Sequence, residues 1–107
     1  MNGPKPELVE AVWAHGRTMP EADAAQWRQD ACGAWMRREH FGREDSEFGW
    51  KMERVQLGGA DSADNLRPFN LRNHYDIANG RQQCRVIADR SNLPAEKYAR
   101  PPRNRQI

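Results

Sequence analysis

The residues best suited to chemistry lie near the middle of the chain, where an acid and a base stand side by side as Glu53 and Arg54. Asn65 and His74 follow them. An arginine cannot act as the base of a hydrolysis at neutral pH, because its guanidinium stays protonated. Its planar fork of N–H donors can instead hold a phosphate group. The side chain of Arg54 therefore favours anion binding over proton abstraction.

Further cations surround this centre, and a basic face would let the region bind a nucleic-acid backbone. The candidate residues for such a face are Arg38, Lys51, Arg54, Arg67 and Arg72. Acidic residues between Glu39 and Asp64 are interspersed among these cations, and such mixing is also typical of a solvated surface. The charge pattern leaves both interpretations open.

The elements that must position these residues follow from apolar spacing and turn residues. A helix is predicted to open at Pro6 and to end near Gly16. Segments 34–36 and 50–55 are predicted strands, each bounded by turn residues. Alternation along the second strand places neighbouring side chains, such as those of residues 53 and 54, on opposite faces.

The second half of the chain predicts a loop, a helix and a last strand. The loop contains two glycines and several acids, which suit turns. A helix is predicted to begin at Leu71, with Asn70 as its N-cap and His74 beside its apolar stripe, and to stop at Gly80. Residues 84–88 are predicted to form a short strand or a packed turn.

Length and composition indicate one small domain. The chain has 107 residues, of which 37% are hydrophobic and 30% charged, so the core must be small. Four tryptophans offer large apolar areas to it. We expect a disordered N-terminus over residues 1–6, a folded domain over 7–90 and a flexible basic tail over 91–107.

The two cysteines, Cys32 and Cys84, are far apart and lack a CxxC partner, which disfavours a cysteine-based zinc site. They could form one disulfide, but we predict two free thiols in a reducing compartment. The chain shows neither an apolar run that could span a bilayer nor a signal-peptide core. We therefore expect a cytoplasmic protein without a membrane partner.

A series of short motifs resembles the HNH endonucleases, a family of ββα-metal nucleases, in the subset that lacks zinc-binding cysteines. In chain order the motifs are Gly49-Trp50, Gly58-Gly59, Asp64-Asn65-Leu66, Arg67-Pro68 and Asn73. The resemblance covers nearly half of the chain. It implies an α+β fold with a small ββα core (β-hairpin, loop and helix), preceded by the N-terminal helix and followed by the flexible basic tail.

The resemblance also implies a metal-dependent catalytic site in which Glu53 takes the position of the metal-binding carboxylate. Arg54 takes the position of the general base, which implies that cleavage is lost. Asn65 matches the loop asparagine of the family, and His74 matches its helix His or Asn. Together Glu53, Asn65 and His74 would hold a divalent ion weakly: the carboxylate and amide oxygens suit a harder cation such as Mg²⁺, and the imidazole suits Zn²⁺, Ni²⁺ or Mn²⁺.

Each of these residues also has a plain structural interpretation. Glu53 and Arg54 are compatible with ordinary charges on a half-exposed strand. The Asn65 amide is suited to bonding the backbone across a turn. His74 is compatible with a half-buried helix residue whose ring has one satisfied nitrogen.

Three functions follow from these expectations. The first is an HNH-like domain that binds DNA, or a protein of a nucleoprotein complex, without cleaving phosphodiesters. The second is an active metal-dependent endonuclease with a rearranged site, in which His40 or His74 supplies the base. The third is a small phage or mobile-element accessory protein that acts on a host nucleoprotein.

Overall fold

An N-terminal helix and four two-stranded antiparallel sheets make up the described part of the chain. The computed structural model describes residues 4–89 and 102–107. Helix α1 spans Pro6–Trp13, and the strands are β1 (Trp27–Gln29), β2 (Trp35–Arg37), β3 (Trp50–Arg54), β4 (Leu66–Asn70), β5 (His74–Asp76), β6 (Arg81–Gln83), β7 (Val86–Ala88) and β8 (Asn104–Gln106). The α+β class is as predicted. None of the helices in these residues has the length and apolar character needed to cross a membrane.

Helix α1 begins at Pro6, as predicted, because proline fixes φ and its missing N–H is not needed in the first turn. The segment 1–6, predicted to be disordered, is thus helical at its last residue, while residues 1–3 lie outside the described part. The helix buries one face against the β3–β4 hairpin. The buried apolar cluster consists of Val12, Trp13, Met36, Trp50 and Leu66.

Strands β3 and β4 form the hairpin that carries most of the predicted site. Their register pairs Trp50 with Asn70 at one end and Arg54 with Leu66 at the other. The Trp50 ring lies 5.3 Å from that of Trp13 in α1. One face of the hairpin therefore packs on the helix, and the alternate residues face the other way. The predicted strands over 34–36 and 50–55 agree with β2 and β3 to within one residue at each end.

The predicted helix from Leu71 is wrong, and with it the helix of the expected ββα core. Strands β5 and β6 form a hairpin there, whose turn includes a bond from the Gly80 N–H to the Asp76 carbonyl at 2.8 Å. Gly80 has a φ of 67°, a conformation that glycine adopts without strain. Four residues, 77–80, separate the paired Asp76 and Arg81, and loops of this length are common in hairpins. This turn outweighs the helical spacing of the apolar residues.

The last residues of the predicted flexible tail form a strand. Strand β8 pairs with β7, and the Asn104 side chain bonds both the N–H and the carbonyl of Trp35 at 2.7 and 3.0 Å. Arg103 forms an ion pair with Glu47 at 3.1 Å. The prediction is therefore wrong for residues 102–107, and residues 90–101 lie outside the described part.

The cysteines form a disulfide, so the prediction of two free thiols is wrong. The fold brings the Cα atoms of Cys32 and Cys84 to 5.6 Å across a sequence separation of 52 residues. A bond over such a separation depends on tertiary structure and has no local signal in the sequence. Disulfides persist mainly in oxidising environments, so the cysteines no longer favour a cytoplasmic location.

A buried carboxylate beside this disulfide connects several segments of the chain. Asp30 is 2% exposed. Its Oδ1 accepts the N–H groups of Cys32 and Ala34, and its Oδ2 accepts the Asn70 N–H and the Asn73 side-chain amide, all at 2.9 Å. Four donors thus replace the water that the carboxylate loses on burial.

Asn73 extends this network to strand β7. Its Oδ1 accepts the N–H groups of Arg85 and Val86 at 2.7 and 3.0 Å, and its amide also donates to the Val86 carbonyl at 3.1 Å. Asn73 is fully buried, and its side chain is fully hydrogen-bonded. The segment after β4 is therefore held by side-chain bonds that a helix starting at residue 71 would break.

We expect the disulfide to provide much of the stability. Replacing Cys32 and Cys84 by serine should lower the free energy of unfolding by about 4 kcal/mol, the loop-entropy value for a separation of 52 residues. Urea unfolding of the double variant and of the oxidised protein measures the difference. Equal unfolding midpoints would show that the bond does not constrain the unfolded chain.

Replacing Asp30 by asparagine should destabilise the fold by about 2–4 kcal/mol, because the new amide group would face N–H donors in place of an acceptor. The matched control is Asp64→Asn, which removes an exposed carboxylate outside the network. Chemical unfolding of both variants at neutral pH measures the effect. Equal losses in the two variants would show that the network contributes nothing specific.

The same substitution has a defined pH dependence. Burial raises the pKa of Asp30 above its ordinary value of 3.8, against the opposing effect of its hydrogen bonds. The folded protein therefore holds this proton more tightly than the unfolded chain, so the stability from this titration is greatest at acid pH and falls as pH rises through the raised pKa. The difference in the free energy of unfolding between wild type and Asp30→Asn should therefore shrink as pH rises from the ordinary pKa of Asp30 in the unfolded chain to its raised pKa in the folded protein.

Candidate functional site

Glu53 and His74, two of the predicted metal ligands, lie close together and enclose a lysine. The Glu53 Oε2 is 2.8 Å from the Lys51 Nζ and 3.6 Å from the His74 Nδ1. Lys51 donates to His74 Nδ1 at 2.9 Å, and the Glu53 Oε1 accepts the Tyr75 N–H at 2.7 Å. Both oxygens of the Glu53 carboxylate thus have a partner. The Lys51 ammonium group neutralises the negative charge with which Glu53 would bind a metal ion.

Arg54 lies on the other face of the strand, as the alternation predicts. Its Nη2 donates to the Asp61 Oδ2 at 2.9 Å, and both side chains are exposed. The hydrogen bond with Arg54 lowers the pKa of Asp61 below its ordinary value and raises the pKa of Arg54 itself. Arg54 thus stays cationic, but its charge is directed to a loop carboxylate and away from Glu53.

Asn65 holds the loop between β3 and β4. Its Oδ1 accepts the Gln56 N–H at 2.9 Å, and its amide donates to the carbonyls of Gln56 and Ala60 at 3.3 and 3.2 Å. Asn65 is 6% exposed. A side chain at Gly59 would place its Cβ only 2.4 Å from the Asn65 amide nitrogen. These contacts match the turn-stabilising interpretation of this asparagine, and they explain the glycine beside it.

Glu53, Asn65 and His74 do not fit a divalent metal in this arrangement. The Asn65 oxygen is directed to the loop backbone, while Glu53 and His74 bond to Lys51. Within residues 4–89 and 102–107, no three side chains of His, Cys, Asp or Glu are grouped as metal ligands would be. No reaction step can therefore be derived through a metal at these positions.

His40, the other candidate base, lies in a short 3₁₀ turn after β2. Its Nδ1 is 2.6 Å from the Ser46 hydroxyl oxygen. Burial, followed by the positive charges of Arg43 and Arg37, lowers its pKa. The imidazole thus stays neutral at neutral pH and is hydrogen-bonded to a serine, as a structural histidine would be.

The predicted nucleic-acid-binding residues differ in how their charge is compensated. Arg38, Lys51 and Arg54 each form an ion pair with a carboxylate. Arg67 donates instead to two backbone carbonyls, at 3.0 and 2.8 Å. Arg72 is exposed and forms no side-chain hydrogen bond or ion pair with the described residues. Two of the five predicted cations therefore lack a carboxylate partner in the described part of the chain.

One of these two, Arg67, lines a groove of about 370 Å³ beside β4. The opposite lining comes from the segment after α1, where His15 and Arg17 lie, and from the end of β1. Two backbone bonds between Arg17 and Gln29, at 2.7 and 2.9 Å, fix this segment. His15 is held by a bond of 2.9 Å between its Nε2 and the Ala63 carbonyl. The groove thus brings three nitrogen-rich side chains from distant parts of the chain together.

Two arginines and one carboxylate line the groove, so its lining has a net positive charge. Arg17 is exposed, and its side chain forms no hydrogen bond or ion pair within the described residues. Asp30 is the carboxylate of the lining, and its two oxygens are directed to four N–H donors of the protein. The lining therefore attracts anions.

Sequence reasoning found Arg67 but missed His15 and Arg17. These two residues follow a helix that ends before Gly16, where a loop residue has no distinctive pattern. The bridge between Arg17 and Gln29 is the feature that places them, and no local spacing in the sequence predicts this bridge.

No protein-family model, curated protein or solved structure matches this chain.

The role of Asn65 is open to a direct test. Asn65→Asp keeps an acceptor for the Gln56 N–H but places an oxygen against the Gln56 and Ala60 carbonyls, so we expect a loss of about 1–3 kcal/mol in the free energy of unfolding. Urea unfolding measures this loss. A metal ligand would behave differently, since a carboxylate binds a divalent ion more tightly than an amide does.

The matched control is Gln82→Glu, which makes the same change of charge at an exposed strand position. Both variants are unfolded with and without Mn²⁺. Stabilisation of Asn65→Asp by Mn²⁺, absent from the control, would contradict the structural role of Asn65.

Proposed function

We propose that this chain is a nucleic-acid-binding domain that does not cleave phosphodiesters, and that it binds the phosphate backbone in the groove between β4 and the segment after α1. The observation that carries the proposal is the pair Arg17 and Arg67. Both residues line one groove, and neither has a carboxylate partner in the described residues. Guanidinium groups hold phosphate oxygens by paired, charge-assisted hydrogen bonds.

The rest of the hairpin supports binding at this place. Lys51 and Arg54 are neutralised by Glu53 and Asp61, so they offer a phosphate less attraction than the groove does. Among the described residues only the Nη1 of Arg67 is engaged, by backbone carbonyls, so its other N–H donors remain for a phosphate. Non-specific affinity for nucleic acid comes mainly from such phosphate contacts.

The absence of cleavage follows from the arrangement of the side chains that a nuclease would use. Hydrolysis requires a base for the attacking water and charge stabilisation at the phosphate. Arg54 cannot accept a proton, and the His74 Nδ1 is occupied by Lys51. His40 bonds to Ser46. In the alternative function, an active endonuclease, one of these histidines would have to leave its present partner before it could act as a base.

Kinship with the HNH endonucleases is part of this proposal. All the motifs that carry the resemblance except Asn73 fall in or beside the β3–β4 hairpin, with Gly49 before β3, Asn65 in the loop and Pro68 within β4. The segment after the hairpin is a second hairpin in place of the family's helix. We therefore infer an HNH-like hairpin that serves binding, with the groove next to it as the contact surface.

Binding is tested by fluorescence anisotropy with a labelled oligonucleotide over a range of salt concentrations. Arg17→Ala and Arg67→Ala should each weaken binding, and each should reduce the slope of log affinity against log salt by about 1, because one phosphate contact is lost. The matched control is Arg43→Ala, which removes an exposed arginine paired with Asp45. It should change neither quantity by a comparable amount.

Three results would contradict the proposal. Equal effects in all three variants would show that only net charge matters. Failure to bind at low salt would leave a protein of a nucleoprotein complex as the partner. Electrophoresis of the same oligonucleotide after incubation with Mg²⁺, Mn²⁺, Ni²⁺ or Zn²⁺ checks for cleavage, and shortened products would favour the active endonuclease.

A further inference from the structure

We infer that the groove takes a single-stranded segment, with a base against its apolar lining and phosphates on Arg17 and Arg67. This inference rests on the proposed function and specifies the form of nucleic acid that the groove accepts. The observation is the chemistry of the rest of the lining. The groove is also lined by Val55, Pro68 and Tyr75, whose apolar and aromatic surfaces a phosphate backbone does not need.

An apolar surface in the same groove as two cations suits a base that is free of its duplex. The flat face of a base gains from contact with apolar and aromatic side chains, whereas its sugar-phosphate backbone gains from guanidinium groups. In a duplex the base faces are stacked, and a protein reaches only their edges in the grooves. A duplex would therefore use Arg17 and Arg67 but would leave the apolar lining empty.

The size of the groove agrees with this assignment. Its volume of about 370 Å³ lies near the lower end of the range of roughly 300–1,000 Å³ that small-molecule sites occupy. Such a space accommodates a base with its sugar and excludes a double helix. The rest of the strand would lie along the exposed surface, where its phosphates stay solvated.

Tyr75 is the aromatic residue best placed to receive a base. It is half-buried, and its ring centroid lies 6.2 Å from that of Phe69. Its backbone N–H is held by the Glu53 carboxylate at 2.7 Å. The ring is thus positioned before a ligand arrives, which lowers the entropy lost on binding. Glu53 acts here as a positioning residue through its bond to the backbone of Tyr75.

The test compares three probes of equal length: a deoxythymidine oligomer, the same strand hybridised to its complement, and an oligomer of abasic sites. The wild-type protein should bind the single strand about tenfold more tightly than the abasic oligomer, in the range for one stacked base, and more tightly than the duplex. Tyr75→Ala should lower single-strand affinity to the abasic level and leave abasic binding unchanged. Tyr75→Phe should keep the wild-type preference.

The outcomes separate this inference from the proposed function. Equal affinity for all three probes, with Arg17→Ala and Arg67→Ala still weakening each of them, would overturn the single-strand assignment and leave backbone binding intact. Loss of the preference in Tyr75→Phe as well would overturn the role of the ring. Absence of binding to every probe at low salt would overturn both proposals. Thermal unfolding of each variant shows that it is folded at the assay temperature.

Discussion

The buried carboxylate of Asp30 is the interaction on which the remaining structure depends. Its four hydrogen bonds join the turn before β2 to the segment after β4, and Asn73 continues the connection to β7. A chain with so few apolar residues cannot hold these segments by hydrophobic contact alone. Buried hydrogen bonds favour a single packing of these segments, because an alternative packing would leave buried polar atoms unpaired. The disulfide between Cys32 and Cys84 constrains the same region covalently.

This network also explains why the groove exists. Gln29, the last residue of β1, and the following Asp30 line one side of it, and residues 67–69 of β4, which ends at Asn70, line the other. The bond from the Asn70 N–H to Asp30 sets the distance between these two ends. Because its oxygens accept four hydrogen bonds, the Asp30 carboxylate has no free acceptor directed to a ligand. Its charge offsets one of the two arginines of the lining, and the other arginine leaves the groove with a net positive charge.

Sequence reasoning succeeded where one local rule decides the structure. Pro6 predicted the start of α1, and the alternation of side chains predicted that Glu53 and Arg54 lie on opposite faces of β3. It failed where contacts distant in sequence decide. The apolar spacing after Asn70 fits a helix, but Asn73 bonds to Asp30 and β7, and the turn over residues 77–80 reverses the chain. For the same reason the sequence did not predict Arg17 as a site residue, since only its bridge to Gln29 brings it to the groove.

The ion pairs of the β3–β4 hairpin neutralise the charges of its predicted catalytic residues. Each charge that the HNH resemblance assigns to catalysis has an opposite charge within reach: Glu53 has Lys51, and Arg54 has Asp61. The Arg54–Asp61 pair is exposed and contributes little to stability, whereas the Lys51–Glu53 pair is half-buried. Both pairs place opposite charges side by side, whereas Arg17 and Arg67 line the groove without a carboxylate partner in the described residues. Under the proposed function, a phosphate chain would be attracted to the groove, because clefts with uncompensated charge of one sign focus the potential.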